Sequence, residues 1–291
     1  MSLIGSNPDP TYYQKLPSYG LSQGYSNVYE MEKTFIRNGQ LDWTRLYQGN
    51  LNPFNQGYAA YVLYDDRNDD RQFSVNSIFE TEINENITIN ASVQYRKFSS
   101  DNFAQVKDLL GGTKYLDVDS FADTNNFKQN DLQNPFREVG VGDAFKYNYN
   151  LTSNFIGGFV QAQFKYSKID FYAAASISTT SHNRDGFYQN GKFATGNASL
   201  GKSKKPSFTN YGFKSGATYK INGRHLVDIN AGYLTKAPTL RNTFSNSRVN
   251  NDIVENLTSE KIFSADASYI LRSPILQARI TSYYAKIKDA N

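Results

Sequence analysis

Apolar and polar residues alternate strictly along eight segments of this 291-residue chain. Between residues 264 and 281, Ala265, Ala267 and Tyr269 alternate with serine and aspartate, and the pattern resumes after the turn at 272–274. A period of two places successive side chains on opposite faces of a β-strand. This stretch therefore predicts a hairpin with one apolar and one polar face.

Three earlier pairs of segments repeat the pattern and turn at 84–86, 167–168 and 222–224. The last turn contains Asn222-Gly223, which is typical of two-residue hairpin loops whose central residues both have a positive φ. The predicted strands are about 10–13 residues long, whereas strands of soluble sheets average about 5–6. Strands of that length can cross an apolar band of about 25 Å while tilted.

The predicted connections alternate between short turns and long polar loops near 99–153, 181–207 and 237–258. Short turns on one side and long loops on the other are typical of outer-membrane barrels. We therefore expect an all-β fold: an antiparallel transmembrane β-barrel segment of about eight long strands with short periplasmic turns and long extracellular loops. The alternative is a soluble barrel or sandwich whose polar face is solvated. Residues 72–291 are predicted to form the barrel strands and loops, and 1–71 mostly extracellular loop material with a short helix near 41–47.

The small apolar residues of the predicted strands, such as Ala173, Ala175 and Ala231, would fill a soluble core poorly, but lipid chains conform to any surface. No segment approaches the roughly 20 apolar residues of a spanning helix, and no signal peptide opens the chain. Hydropathy alone thus indicates a soluble protein, but barrel strands carry a much weaker hydropathy signal than helices.

The composition excludes several kinds of site. The chain has no cysteine and two histidines, so disulfides and thiolate chemistry are excluded and few nitrogen ligands remain for a transition metal. The net charge is +4, and the densest basic run, 202–205, is interpreted as a solvated loop, so no nucleic-acid partner is expected.

No enzyme motif is present in the sequence. Gly140-Val141-Gly142 lacks the third glycine of a dinucleotide fingerprint, and His182 and His225 lie at predicted loop or turn positions with no reason to meet. The acidic runs 65–70 and 117–123 do not match the spacing of a calcium loop. We therefore expect no catalytic, cofactor-binding or metal-binding residue and no cofactor.

Aromatic residues in the predicted loops are the candidates for ligand contact. Their rings would stack on a sugar or a siderophore, or would pack the long loops against one another. The candidates are Trp43, Tyr47, Tyr115, Phe121 and Phe127.

Three stretches resemble the barrel of Bacteroidetes TonB-dependent outer-membrane receptors. They are "NPDPTYYQKLPSYG" (7–20), "YVLYDDRNDD" (61–70), and "YLTKAPTLRNTFSNSRVNNDIVENLTSEKIFSADASYILRSPILQARITSYY" (233–284). The resemblance covers most of the chain, but its motifs are barrel and loop signatures that identify no cargo.

The resemblance implies a 22-stranded barrel that is closed by a plug and energised through TonB. Because no plug, TonB box or aromatic terminus is recognisable, we expect an internal piece of such a barrel, with Met1 as an artificial start. The expected function is import of a scarce nutrient, such as a siderophore, glycan or peptide. The expected partners are outer-membrane lipid, the remainder of the barrel with its plug, TonB through the plug region, and the nutrient. The alternative is a structural or adhesive outer-membrane protein whose loops bind a surface.

Overall fold

The computed structural model describes residues 16–37 and 41–290. Residues 7–15 of the first family-like stretch, and the corresponding part of the predicted 1–71 region, lie outside this description. The described residues fall into two compact units. One comprises the described part of Met1–Arg67 together with Phe103–Tyr147, and the other comprises Asn68–Asn102 together with the described part of Asn148–Asn291.

The main element is a nine-stranded antiparallel sheet with the order β1-β2-β5-β6-β8-β9-β10-β11, in which β7 pairs with β6. β3 and β4 form a separate two-stranded sheet. The strands are β1 (Leu63–Asn84), β2 (Ile87–Asp108), β3 (Tyr115–Leu116), β4 (Glu138–Val139), β5 (Ala144–Lys165), β6 (Ile169–Gly186), β7 (Gly201–Lys202), β8 (Ser207–Lys220), β9 (His225–Lys236), β10 (Glu260–Arg272) and β11 (Gln277–Lys288).

The helices are short. They are α1 (Leu16–Ser22), α2 (Val28–Arg37), α3 (Trp43–Asn50) and α4 (Leu240–Thr243), and two 3-10 turns cover Pro53–Asn55 and Gly191–Phe193. α3 begins after Asp42, whose carboxylate accepts a hydrogen bond from the backbone N–H of Arg45 and so caps the helix. In the described residues no helix is long and apolar enough to cross a membrane.

The strand register confirms the alternation that the sequence predicts. Ala265 lies opposite Ala231 on one side and Tyr284 on the other, so these three side chains share one face of the sheet. The neighbouring Asp266 lies opposite Asn230 on the other face. We call these the apolar face and the polar face. The sheet is not closed in the described chain, and its two edges are β1 and β11.

Several strands are longer than the alternation predicts. β1, β2 and β5 have 22 residues each and β6 has 18, because the strands continue into segments that the sequence assigns to loops. In β2 the extension carries buried polar residues, Ser100 and Asn102, and these residues conceal the strand from a hydrophobicity pattern. The long connections therefore shorten to 109–143, 187–206 and 237–259.

The turn predicted at 222–224 is confirmed in position, but the positive φ expected at its Asn222-Gly223 dipeptide is wrong. Neither residue has a positive φ, and the strands are joined by four residues, 221–224. The Asn222 side-chain oxygen instead accepts hydrogen bonds from the backbone N–H groups of Arg224 at 2.9 Å and His225 at 3.0 Å. This side-chain turn replaces the left-handed backbone that the dipeptide predicts.

Candidate functional site

The apolar face carries two belts of aromatic residues. At the short-turn end, Phe164 stacks on Phe171 with ring centroids 4.5 Å apart. At the long-loop end, Tyr211 lies 6.1 Å from Tyr233 between ring centroids. Small residues separate the belts. The lower belt is Phe164, Tyr166, Phe171, Tyr219 and Tyr269; the upper belt is Tyr211, Phe213, Tyr233, Phe263 and Tyr284; between them lie Ala173, Ala175, Ala217, Ala231, Ala265 and Ala267.

This face is exposed in the described chain. Ile177 and Phe213 keep more than 60% of their accessible surface, and Ile280 keeps 74%. Soluble monomers rarely expose contiguous apolar patches larger than a few hundred Å², and larger ones mark contact with a partner or a membrane. Aromatic residues border this patch at both ends, where the two belts lie.

The polar face carries a hydrogen-bonded chain of side chains across five neighbouring strands. Asn230 is its centre: it donates to Asp228 at 3.0 Å and to Asp266 at 3.1 Å, and its own oxygen accepts from the Tyr172 hydroxyl at 3.1 Å. Asp228 also accepts from Thr218 at 2.7 Å. This series of hydrogen bonds reaches β11, where the Arg279 guanidinium lies 3.8 Å from Asp228 and donates to Ser268 at 3.0 Å.

Gly216 has no side chain, and this leaves room for the hydrogen-bonded side chains of Asn230 and Tyr172. A Cβ atom on Gly216 would lie 2.2 Å from the side-chain oxygen of Asn230 and 2.6 Å from the Tyr172 ring. A glycine in a strand interior often marks such a close approach. The polar face is therefore organised by specific contacts.

Arg184 anchors two of the long connections. It is 2% exposed and lies near the end of β6, where its guanidinium donates to the carbonyl oxygens of Ser199 at 2.8 Å and Ser247 at 2.6 Å and to the Asn251 side chain at 2.6 Å. The Tyr149 ring faces the same cation at 5.1 Å. Burial lowers the pKa of Arg184 to about 10, while the nearby Tyr149 and Asp185 partly offset this effect.

His182, two residues before Arg184, forms a hydrogen bond with the segment that precedes α4. Its Nε2 atom lies 3.1 Å from the carbonyl oxygen of Pro238, so this nitrogen carries the proton as donor. The Nδ1 atom is buried and has no hydrogen-bond partner. Burial lowers the pKa of the ring, and the bond to Pro238 opposes that shift.

In the other unit, Asn50 joins α3 to two separate stretches of chain. Its amide nitrogen donates to the carbonyl oxygens of Tyr61 and Leu109, each at 2.7 Å, and its oxygen accepts from the backbone N–H of Ala60 at 2.8 Å. Since Asn50 is 2% exposed, these bonds form in a region that excludes water.

Asp117 likewise holds together separate stretches of the connection between β2 and β5 by buried hydrogen bonds. Its carboxylate pairs with the Arg137 guanidinium at 2.6 Å and accepts from the Asn130 amide at 2.7 Å and the backbone N–H of Lys146 at 2.9 Å. The side chain is 1% exposed. A buried carboxylate with this many donors fixes the loop around it.

A smaller network links the segment before β1 to the same connection through Tyr58, Lys114 and Glu138, of which only Glu138 is exposed. Glu138 accepts from Lys114 at 2.8 Å and from the Tyr58 hydroxyl, and the Lys114 ammonium lies 4.3 Å from the centre of the Tyr58 ring. Hydrogen bonds from Lys114 and then Tyr58 lower the pKa of Glu138. The bond to Glu138 is the main cause that raises the pKa of Lys114, and Tyr58 adds to it.

The five ligand-contact candidates all lie in the unit that contains α3. Trp43 and Tyr47 are one helical turn apart on α3 and are 48% and 40% exposed. Phe121 is 94% exposed and Phe127 is 49% exposed. Tyr115 differs from the others, because its ring packs edge-on against Phe145 at 5.6 Å and burial raises the pKa of its hydroxyl.

The five candidate residues do not form a single cluster of rings. Trp43 and Tyr47 share a helical neighbourhood, since residues four apart lie on one face. Among the residues that the structure describes, no ring contact joins this pair to Phe121 or Phe127. Within residues 16–37 and 41–290, no group of three or more histidine and acidic side chains is arranged to hold a metal ion.

Sequence reasoning missed Arg184, His182 and Asp117 as organisers of the loops. His182 was assigned to a loop, but it lies inside β6 and pairs with Ser153 across the sheet. The only signal in the sequence was the continued alternation at the end of β6, since Ser178, His182 and Arg184 share the parity of the polar face.

No protein-family model matches the chain, and no curated protein matches it. What the structure shows is therefore the fold: an antiparallel sheet of eight long strands with one apolar face, one polar face and long connections that are internally hydrogen-bonded.

Proposed function

We propose that this chain is part of a TonB-dependent receptor of the bacterial outer membrane, which imports a scarce nutrient through a plugged barrel. In this proposal the apolar face contacts lipid and the polar face lines the interior. The nutrient is a siderophore, a glycan or a peptide. The remaining strands of the barrel, its plug and TonB are the other partners.

The observation that carries the proposal is the exposed apolar face with an aromatic belt at each end. Alanine-rich surface between the belts suits lipid chains, which conform to any contour. Near the long-loop end of β2, by contrast, polar residues are buried on the opposite face: Ser100 is 5% exposed and Asn102 is 6% exposed. A soluble sandwich would cover its apolar face with a second sheet, and the described residues form no such layer.

The sheet edges support the same proposal. β1 and β11 each present backbone N–H and C=O groups on their outer sides. In hydrocarbon, each unpaired group costs several kcal/mol, so spanning sheets are closed. Further strands that pair with β1 and β11 would remove this cost.

The unit that contains α3 carries the proposed nutrient-binding region. Trp43, Tyr47, Phe121 and Phe127 expose ring surface there, and Asn50 and Asp117 hold the backbone on which these rings lie. A rigid scaffold with exposed aromatic groups is suited to stacking on a sugar or an aromatic chelator.

An adhesive role for the same connections is the second candidate, because Phe121 at 94% exposure presents a ring that packs against little of its own chain. Uptake measurements distinguish the two functions. An importer loses nutrient accumulation when TonB is removed, whereas an adhesin keeps its surface binding.

Surface labelling in whole cells tests the membrane topology on which both functions rest. Single cysteines at Asn130 and Lys204 are expected to react with an impermeant maleimide, while a cysteine at Asn222 reacts only after the cells are opened. The chain has no native cysteine, so the background is clean. Reaction at Asn222 in intact cells without reaction at Lys204 would contradict the proposed orientation.

A further inference from the structure

Three lysines lie together at the upper border of the apolar face. Lys261 is directly opposite Lys288, and Phe263 is directly opposite Lys286, in the β10–β11 pair. Directly opposed residues of an antiparallel pair share a face. Because Lys261 and Phe263 have the parity of Ala265, all three lysines project on the apolar side. We call Lys261, Lys286 and Lys288 the rim lysine patch.

The patch has more positive charge than its neighbours balance. Asp289 pairs with Lys261 at 2.8 Å, and its pKa is lowered first by Lys261 and then by the charge of Lys288. In the described part of the chain, Lys286 and Lys288 make no ion pair. Three cations and one carboxylate leave a local excess of +2. At the top of the β1–β2 pair, by contrast, Arg71 is matched by Asp101 at 2.5 Å.

Opposed lysines repel each other, since like charges directly across a strand pair are destabilising. Asp289 pairs with Lys261 and also attracts Lys288, but one carboxylate does not balance three cations. An anion that places two further negative charges near Lys286 and Lys288 would complete the balance. The three side chains are exposed, so such an anion reaches them from outside.

The position of the patch along β10, relative to the apolar band, indicates where that anion lies. Leu271, the last apolar-face residue before the short turn, lies ten residues after Lys261. That separation corresponds to about 33 Å of strand, which at a tilt of about 40° spans an apolar band about 25 Å tall. Lys261 is thus placed at the opposite border of the band from Leu271, where the headgroups of one leaflet lie.

We propose that the rim lysine patch binds the phosphate groups of an anionic, phosphorylated lipid in the outer leaflet. This inference rests on the proposed membrane placement. The ammonium groups contact the phosphates. Phe263 lies level with Lys286 and Tyr284 lies one row nearer the short turns, and their rings, 6.3 Å apart, contact the first part of the acyl chains. Lysine binds phosphate as a point charge and needs no fixed geometry, which suits a mobile lipid.

Native mass spectrometry of the full chain in detergent micelles tests the proposal. The probe is diphosphoryl lipid A, compared with the same lipid after removal of both phosphates and with inorganic phosphate alone. The variant is Lys261→Gln/Lys286→Gln/Lys288→Gln. Its matched control is Lys202→Gln/Lys204→Gln/Lys205→Gln, which removes the same charge from another surface.

The variant is expected to bind diphosphoryl lipid A at least about tenfold more weakly than the parent, while the control binds unchanged. The dephosphorylated lipid should bind both proteins alike, and inorganic phosphate should not displace the lipid. Equal weakening in variant and control would show a net-charge effect and overturn the proposal. Displacement by inorganic phosphate would overturn it too, since the patch would then be a simple anion site.

Insertion into phosphatidylcholine vesicles separates this inference from the proposed function. If the chain inserts and protects its short turns from protease, but lipid A binding is the same in the parent and the variant, the lysine inference fails and the membrane placement stands. If a barrel that contains this chain, with partner strands on β1 and β11, fails to insert in any vesicle, both fail.

Discussion

The guanidinium of Arg184 donates a hydrogen bond to the side-chain oxygen of Asn251 at 2.6 Å, across 67 positions of sequence. Through this contact and its bonds to Ser199 and Ser247, one buried side chain links the 187–206 connection to the 237–259 connection. Neither connection contributes a long strand to the sheet, so each depends on contacts of this kind for its order.

Replacing Arg184 with methionine should loosen both connections. The substitution keeps apolar bulk but leaves two carbonyl oxygens and the Asn251 side chain without a donor, at a cost of about 3 kcal/mol. Limited proteolysis should show new cleavage within 187–206 and 237–259, with the strands intact. Arg241→Met, at an exposed position in α4, is the control and should leave the cleavage pattern unchanged. A pattern that Arg184→Met does not alter would contradict the anchoring role.

Acid should destabilise the chain through His182. Its folded pKa lies below the usual 6.5 because the ring is buried, so as the pH falls below 6.5 the unfolded state binds the proton first. The free energy of unfolding therefore decreases from pH 6.5 down to the folded pKa and then levels. His182→Gln, which retains a donor for Pro238, should flatten this slope in melts of the detergent-solubilised chain. His225→Gln should keep it; a slope unchanged in His182→Gln would exclude this origin.

The Glu138 carboxyl should titrate below its ordinary pKa of 4.5. A lowered folded pKa means that the network with Lys114 and Tyr58 contributes its full stability above pH 4.5 and loses it as the pH falls through the folded value. Carbon-detected NMR of the side-chain carboxyl measures this directly. Lys114→Met should raise the midpoint more than Tyr58→Phe does, because the bond from Lys114 is the larger cause. An equal midpoint in the parent and Lys114→Met would contradict the pairing.

Adjacent residues on β10 test the two faces. Ala265→Arg places a cation on the apolar face near mid-strand and should destabilise the membrane-inserted chain by roughly 2–4 kcal/mol. Ser264→Arg, on the polar face, should be far milder, as should Asp266→Asn. The measurement is the amount of each variant that assembles in an outer-membrane fraction. Equal assembly of Ala265→Arg and Ser264→Arg would reject the assignment of the faces.

The sequence predicts the faces and the hairpins well because their signal is local. Alternation places Ala231, Ala265 and Tyr284 on one side without any knowledge of their partners, and the register agrees. The lengths of β1 and β2 were less predictable, since the residues that extend them towards the long loops are mostly polar and give little hydrophobic alternation. In β5 the added segment does alternate, but its buried residues from Phe145 to Leu151 lie on the opposite face from Val160 and Phe164, so the pattern does not continue that of the predicted strand.

The site is less predictable because its contacts span long sequence separations. Asn50 reaches Leu109, 59 positions away, and Asp117 reaches Lys146, 29 positions away, through bonds that no local pattern specifies. Tyr115 shows the same limitation: its residue type suggested ligand contact, whereas its environment packs it against Phe145. The exposed fraction of the ring distinguishes ligand contact from internal packing, and that fraction is known only for the folded chain.

The strand order has a consequence for how the sheet assembles. Apart from the short β7, each strand of the nine-stranded sheet pairs with the long strand that comes next in the chain. Each pairing step therefore closes a loop of limited length, and the entropy lost on closure grows only slowly with that length. No strand has to pair with a segment that is distant in the sequence. The sheet can therefore grow one hairpin at a time, from the N-terminal strands to the C-terminal strands.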